Sequence, residues 1–470
     1  MTGTQPNQSG APGVLVPVRT EDDFELTVTG CIPDALAGAY YRNGPYPQFD
    51  PQGPYFPFHG DGMIHAFFLE PDKNGGRAHA GRARYRNRWV RTPKWHAEHK
   101  AGRLLFGLPG GNDPAAAGVD PGPANIHIVH HAGKLMALQE HGEPFEIDPM
   151  DLERGGFVDT GGKRTAHPKL DPETGEMIWF AYFVGQPFSS VMEYGVTDKT
   201  GCVTRRDRFT APYAAMTHDF MVTRNHVLFP VLPLTGDLQR AKKGLPPMAW
   251  EPDRGGFIGV MKRNAGVDSI RWFEIEPRFA LHSMNAWEDG DSIHCELTEF
   301  PHAPYFPRAD GSPAPHVEAK LTRWTLDLAG NTNQAQCLQL DDLNSEMPRI
   351  DERFAGLPYR HGWYLANIGG NDPMLHNAIA HLDLRTGRRA VRMLGPAGAA
   401  SEPVFVPRST SAPEGDGYII SIVYRAETHT SELLILHAQD IAGEPVASLK
   451  LPRHVPPGTH GNFVPDRLLG

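Results

Sequence analysis

Short segments in which every second side chain is apolar recur along this chain of 470 residues, and helical periodicity of convincing length is scarce. Successive side chains of a strand point to opposite faces, so such alternation marks half-buried strands rather than helices. Phe24-Glu25-Leu26-Thr27-Val28-Thr29-Gly30 is the first such run, closing on a glycine turn. Lys134 to Gln139, Glu176 to Phe183, Asn225 to Leu232, Gly256 to Met261, Ser292 to Thr298, Leu321 to Leu328 and Ala378 to Leu384 repeat the grammar between Gly, Asp, Asn or Pro. The clearest hairpin runs from Gly417 to Tyr424, turns through Glu427 to Thr430 and returns over Leu433 to Leu436. Asp237 to Lys243 is the best helix candidate, and His96, Glu98 and His99 read as a charged loop. No repeat of fixed period appears, which argues against the common repeat arrays. Many short strands over this length still predict a closed β architecture, and a propeller holds such a chain in one unit.

Glycine and proline together supply a fifth of the residues, which suits frequent tight turns. The net charge of −10, without a basic run, lacks the footprint of nucleic-acid binding. Cys31, Cys202, Cys295 and Cys337 lie far apart, with no Cys-x-x-Cys pair, so neither a disulfide framework nor a thiolate zinc site is expected. A reducing, cytoplasmic location follows. The expected organisation is a polar disordered lead-in over residues 1–20 and a single propeller domain over 21–470. No run approaches the ~18 apolar residues of a spanning helix. Nucleotide-binding glycine loops, the serine-hydrolase elbow and the zincin motif are all missing, so hydride transfer, phosphoryl transfer and esterase chemistry lose ground.

Histidine is conspicuous, at 23 residues. Of His127, His130 and His131 only the first and last share a strand face, and four residues apart they do not readily share a metal, so they read as structural. His59 and His65, among aromatics and glycines, could line a pocket. Spacing alone does not single out any ligand set. Four histidines have distinctive neighbours: His167 in Ala166-His167-Pro168-Lys169, His218 in Thr217-His218-Asp219-Phe220, His282 in Leu281-His282-Ser283-Met284-Asn285, and His460 in Gly458-Thr459-His460-Gly461-Asn462.

Those segments, with Tyr41-Arg42-Asn43-Gly44-Pro45, Gly60-Asp61-Gly62-Met63, Asn285-Ala286-Trp287-Glu288 and Ser401-Glu402-Pro403-Val404, carry a resemblance. From about Phe24 to Phe463 the sequence resembles the carotenoid cleavage oxygenases, non-haem iron enzymes that split conjugated double bonds with dioxygen. The resemblance implies an all-β, seven-bladed propeller with loops and short helices capping one face over a central iron; Pro233 to Pro252 and Pro301 to Pro315 are the candidate caps. It implies Fe²⁺ held by His167, His218, His282 and His460, with Glu140, Glu346 and Glu402 accepting from the outer ring nitrogens. No catalytic residue is implied beyond the iron centre. Four neutral imidazoles suit borderline iron and leave coordination positions open. Such ligands need acceptors that fix each ring.

The implied reaction cleaves one conjugated C=C bond with O₂ into two carbonyl products. The partners are a hydrophobic conjugated small molecule and O₂, with no nucleic acid. Phe58, Trp179, Phe220 and Trp287 are candidate tunnel aromatics. The stilbene- and phenylpropenoid-cleaving branch of the family carries a lysine where this chain has Gln139, and a tyrosine where Leu108-Pro109-Gly110-Gly111 follow Leu105-Phe106-Gly107. That departure turns the expectation toward a carotenoid or apocarotenoid, with a lignostilbene- or isoeugenol-type substrate as the alternative; Met248 to Gly256 resembles the aromatic-cleaving branch. A membrane-dissolved substrate asks for an apolar docking face, for which Leu234, Leu238, Leu245, Met248 and Trp250 beside Arg240, Lys242 and Lys243 are candidates, leaving peripheral membrane contact open. A propeller hydrolase holding Ca²⁺ or Zn²⁺ on carboxylates, and a non-catalytic carotenoid carrier, are the competing classes.

Overall fold

In the computed structural model, residues 14–469 are described except 54, 73–79, 108–110, 154, 161 and 373–374. Most of the expected lead-in and the Leu108-Pro109-Gly110 departure therefore lie outside the described residues. The described residues form seven sheets of four to six strands and one two-stranded ribbon, the sheet content of a seven-bladed β-propeller. The architecture is all-β, as the alternation predicts. The chain falls into two compact units, Met1–Lys163 with Gly369–His381 and Arg389–Gly470, and Arg164–Ile368 with Leu382–Arg388.

In the first unit a sheet orders Asp23–Glu25, Arg82–Trp89, Asp61–Glu70, Gly38–Arg42 and Gly461–Pro465. The last strand of the chain thus pairs with one of the first: Gly38 faces Pro465 and Arg42 faces Gly461 along five residues. Both faces of this sheet are covered. Tyr40, Phe67 and Tyr85 pack with Ile420, Ile422, Leu433 and Ile435, whereas Ala39, Tyr41, Ile64 and Ala66 pack with Ile128, Leu135, Ala137 and Phe145. Neighbours in sequence therefore serve opposite cores, each large side chain contributing roughly 1.5–3 kcal/mol of burial. The expected strand over Phe24–Gly30 is two strands. Asp23–Glu25 pairs with Arg84–Arg86, Thr27–Gly30 pairs with Ala447–Lys450, and Leu26 is the break.

The second unit repeats the pattern. Val227, Phe229 and Val231 pack with Ile178, Phe180 and Tyr194, and the intervening Leu228 packs with Ile258, Val260, Phe273 and Ala286. Strands His226–Val231 and Gly256–Lys262 form the middle of their sheet, which explains why both read as near-continuous apolar runs.

Two α-helices are present among the described residues. Leu238–Lys242 is the expected one, with Asp237 accepting from the amides of Gln239 and Arg240. Pro93–Ala101 replaces the expected charged loop around His96, Glu98 and His99. Its punctuation is ordinary: Thr92 caps the amide of Trp95, Pro93 opens the first turn and Gly102 closes it at φ 66°. Lys94, Trp95 and Glu98 are all buried, so the inward residues are largely charged and no apolar stripe announces the helix. No helix is long and apolar enough to cross a membrane among the described residues. All four cysteines are free.

Candidate metal centre

The ring nitrogens offered by His167, His218, His282 and His460 all lie within 4.8 Å of one another. His167, His282 and His460 are buried and His218 is half-buried. Nε2 of His167 is 3.0 Å from Nε2 of His218. The ring centroids of His282 lie 5.3 Å from His167 and 5.2 Å from His218.

Metal–imidazole bonds of about 2.1 Å place two nitrogens at right angles about 3 Å apart and two opposed ones about 4.2 Å apart. The observed spacing fits a single ion. The donor set fits too, since four uncharged nitrogens suit a borderline transition metal rather than Ca²⁺ or Mg²⁺, which prefer oxygen.

Local backbone irregularities aim His282 and its carboxylate partner. His282 lies on the strand Phe279–Asp289, whose register against Ser292–Phe300 shifts on either side of Ser283. Bulges of this kind re-aim a side chain that a regular pleat would misdirect. The partner is prepared the same way. Glu346 lies where the register of Asn344–Ile350 shifts, followed by Met347 at φ 53°. Its carboxylate accepts from Nδ1 of His282, from the Met347 amide at 2.8 Å and from Thr298 Oγ1 at 3.1 Å. With Nδ1 committed to Glu346, Nε2 is the nitrogen His282 can give a metal.

The fourth histidine is built from the other end of the chain. Glu402 accepts from His460 Nδ1 at 2.9 Å and from the Gly461 amide at 3.1 Å. Arg42, fully buried, donates to the carbonyls of Pro456 and Pro457. The backbone of Asn43 exchanges bonds with Thr459 and His460, and the His460 amide reaches Ile126 O at 3.0 Å. The Arg42-Asn43 pair of the early motif is therefore the seat of the late one. His127, read as structural, has its ring 5.2 Å from that of His460. His65 is core, with Nδ1 2.7 Å from the Tyr85 hydroxyl, and His59 is exposed, its ring edge-on to those of Tyr55 and Phe56.

The remaining candidates are more dispersed. Glu140 is half-buried just beyond the strand Lys134–Leu138. Trp179 is fully buried beneath the Arg164 guanidinium and donates to Thr197 Oγ1 at 3.1 Å. Phe220 is fully buried between Phe180 and Phe229. Phe58 is 47% exposed, and Trp287 is partly exposed beside Tyr359 and under Arg323. Gln139 is buried and accepts the Ala124 amide at 2.9 Å. Of the apolar docking candidates, Leu234 and Trp250 are buried, while Leu238 and Leu245 are 43% and 39% exposed. Arg240 is buried too, bonded to Thr235 and Glu251.

Residues whose role spacing did not reveal stand beside three of the histidines. Asp219, next to His218, is buried, which raises its carboxyl pKa, but Lys169 and Ser283 outweigh burial and hold it below the usual carboxylate range.

Known proteins resemble this chain over nearly its whole length. The family model described as retinal pigment epithelial membrane protein matches residues 15–465. The chain is 38% identical to an isoeugenol monooxygenase of Pseudomonas nitroreducens, over 96% of this chain and 97% of that one. The crystal structure of a lignostilbene dioxygenase of Pseudomonas brassicacearum superposes with a TM-score of 0.90 at 33% identity, covering 97% of this chain and 99% of that one. A cobalt-substituted apocarotenoid oxygenase of Synechocystis superposes at 0.80 with 28% identity, covering 95% and 96%.

Proposed function

This chain belongs to the retinal pigment epithelial membrane protein family, that of the carotenoid cleavage oxygenases, and we propose that it is an iron oxygenase splitting a C=C bond conjugated to an aromatic ring. It is an enzyme of the double-bond-cleaving oxygenase class. The assignment of the metal as Fe²⁺ rests on the donor set: His167, His218, His282 and His460 would hold the ion, and when bound it would supply activation of dioxygen. Glu346 and Glu402 keep Nδ1 of His282 and His460 engaged, so that each ring presents Nε2. Glu140 is the third carboxylate that the family resemblance assigns to a ligand ring. Phe58 and Trp287 are the aromatics that keep surface with which to line a tunnel.

The observation that carries the aromatic substrate is the near full-length similarity to an isoeugenol monooxygenase, joined by closer superposition on a lignostilbene dioxygenase than on an apocarotenoid oxygenase. One feature favours a carotenoid or apocarotenoid as the second reading. Gln139 stands at the lysine position of the stilbene-cleaving branch, and its amide is spent on the Ala124 backbone. A carotenoid substrate would give the exposed Leu238 and Leu245 a lipid surface to touch.

An oxygen-consumption screen of the iron-loaded protein decides between them. A hydroxystilbene, a phenylpropene, a carotenoid and several apocarotenoids are offered, and the carbonyl products are identified by mass spectrometry. Turnover of the stilbene or phenylpropene with two carbonyl products is the expected result, turnover of polyenes alone would install the second reading, and full activity in rigorously iron-free protein would remove the metal assignment.

A further inference from the structure

Each of three histidines has, one or two residues after it, a polar side chain, and these three side chains are bonded to one another. Lys169 follows His167 by two residues, Asp219 follows His218 and Ser283 follows His282. Lys169 Nζ lies 2.7 Å from Asp219 Oδ1. It also donates to Ser283 Oγ at 3.1 Å. Ser283 Oγ donates onward to Asp219 Oδ2 at 2.6 Å, and the Ser283 amide donates to the same oxygen at 2.8 Å. The Phe220 amide takes Oδ1 at 2.8 Å.

We propose that this Lys169–Asp219–Ser283 knot is a positioning device that fixes the mutual spacing of His167, His218 and His282 before any metal arrives. The inference rests on the metal-site reading above and extends it to residues that touch no ligand. The segments concerned belong to three different sheets or their approaches: Lys169–Leu170, the loop before Met221–Val222, and the bulged strand Phe279–Asp289. Nothing in the pairing within any one sheet sets the distance from one segment to the next. Asp219 does so, because its two oxygens receive donors from all three segments. Bridging them also locks the bulge at Ser283, which turns His282 inward.

The chemistry of the knot is particular to a carboxylate. An ionised carboxylate offers about four acceptor sites and no donor. Asp219 receives four donors, namely the Lys169 ammonium, the Ser283 hydroxyl and the amides of Phe220 and Ser283. Asparagine has the same shape but would turn an N–H₂ toward one pair of those donors. Asp219→Asn therefore breaks the knot without removing volume, and Ser283→Ala removes the hydroxyl link while leaving the ion pair. Lys169→Arg keeps the charge, and Lys169→Met discards it.

The test uses the full-length protein stripped of metal and titrated with Co²⁺ alone against a chromophoric chelator, with the visible ligand-field spectrum recorded at saturation and metal-free thermal unfolding as the fold control. The expected result is that Asp219→Asn binds Co²⁺ about 10–100-fold more weakly, the range seen when groups supporting metal ligands are lost. Its spectrum shifts, and Ser283→Ala moves both readouts in the same direction by less. Lys169→Arg recovers more of the affinity than Lys169→Met. Wild-type affinity and an unchanged spectrum in both Asp219→Asn and Ser283→Ala overturn the proposal. Should Asp219→Asn not fold, Ser283→Ala and Lys169→Met decide by the same two readouts. Failure of the wild-type protein to bind Co²⁺ or Fe²⁺ refutes the metal centre itself, an outcome distinct from equal binding by wild type and variants.

Discussion

Glu402 grips His460 twice, through the imidazole Nδ1–H at 2.9 Å and through the amide of the next residue, Gly461, at 3.1 Å. One carboxylate thus fixes both the rotation of the ring and the backbone that carries it. Replacing Glu402 by Ala removes both, and metal affinity is expected to fall about 10–100-fold. Gln restores the amide contact but meets the ring with a neutral acceptor and should fall between. Competition with a metallochromic chelator measures both; wild-type affinity in Glu402→Ala would mean that the ring is held by other contacts.

Arg42 and Gly458 depend on each other in the same region. The Arg42 guanidinium donates to Pro456 and Pro457 where the chain turns toward His460, and Gly458 makes that turn at φ 69°. A Cβ at position 458 would fall on the guanidinium. Gly458→Ala combines that collision with a left-handed conformation costing about 1–2 kcal/mol, and Arg42→Met leaves buried carbonyls unmet at about 1–3 kcal/mol each. Both variants are expected to lose about 2–4 kcal/mol in urea unfolding. A loss under 0.5 kcal/mol in both would show that the C-terminal segment is seated without them.

Much of the architecture is legible in the local sequence, and the boundary between what is legible and what is not is physical. The hairpin expected over Gly417–Tyr424 and Leu433–Leu436 is observed as Gly417–Arg425 and Thr430–His437, because alternation and a polar turn are both local signals. The helix Pro93–Ala101 is not legible, since its buried Lys94 pairs both with its buried Glu98 and with Asp61, and buried ion pairs leave no apolar period to detect. The four histidines stand out as a ligand set only through the family resemblance that their neighbouring residues carry. The knot on Asp219 and the seat on Arg42 join residues 50 to more than 400 positions apart, and no property of one segment announces its partner in another.

The Lys94 ammonium sits between two buried carboxylates, Asp61 at 3.0 Å and Glu98 at 2.8 Å. Glu98 is further satisfied by the amides of Leu105 and Phe106. Among the described residues the Asp61 side chain is bonded by Gln48 and Lys94, and burial, opposed by Lys94 and reinforced by Glu98, pushes its carboxyl up to about 7. Tyr55 and His59 are the other titratable groups in the field of this cluster. A carboxyl with its folded pKa raised favours the protonated form, so its contribution to stability is fully present below the unfolded pKa of 3.8 and is lost as pH rises through about 7. Urea unfolding of wild type and Asp61→Asn between pH 5 and 8 should show the wild type losing ground to the variant as pH rises, with the difference levelling off above 7. A pH-independent difference contradicts this. Lys94→Met, which leaves both carboxylates uncompensated, is expected to lose about 3–5 kcal/mol at neutral pH.

The C-terminal segment serves two purposes that a pair of variants can separate. Gly461–Pro465 completes a sheet by pairing with Gly38–Arg42, while His460, one residue before it, faces the other imidazoles. Deleting Thr459 to Gly470 removes both the strand and the ligand, exposing the edge of Gly38–Arg42 and the apolar surface around Val464. His460→Ala removes only the ligand. The substitution is expected to leave the circular dichroism and urea midpoint of the metal-free protein close to wild type, while iron per chain after anaerobic purification falls to a small fraction. The truncation should lose iron and stability together. If His460→Ala retained a full complement of iron, the fourth ligand would have to come from another group; if the truncation kept wild-type stability, the closing strand would contribute little to the sheet it completes.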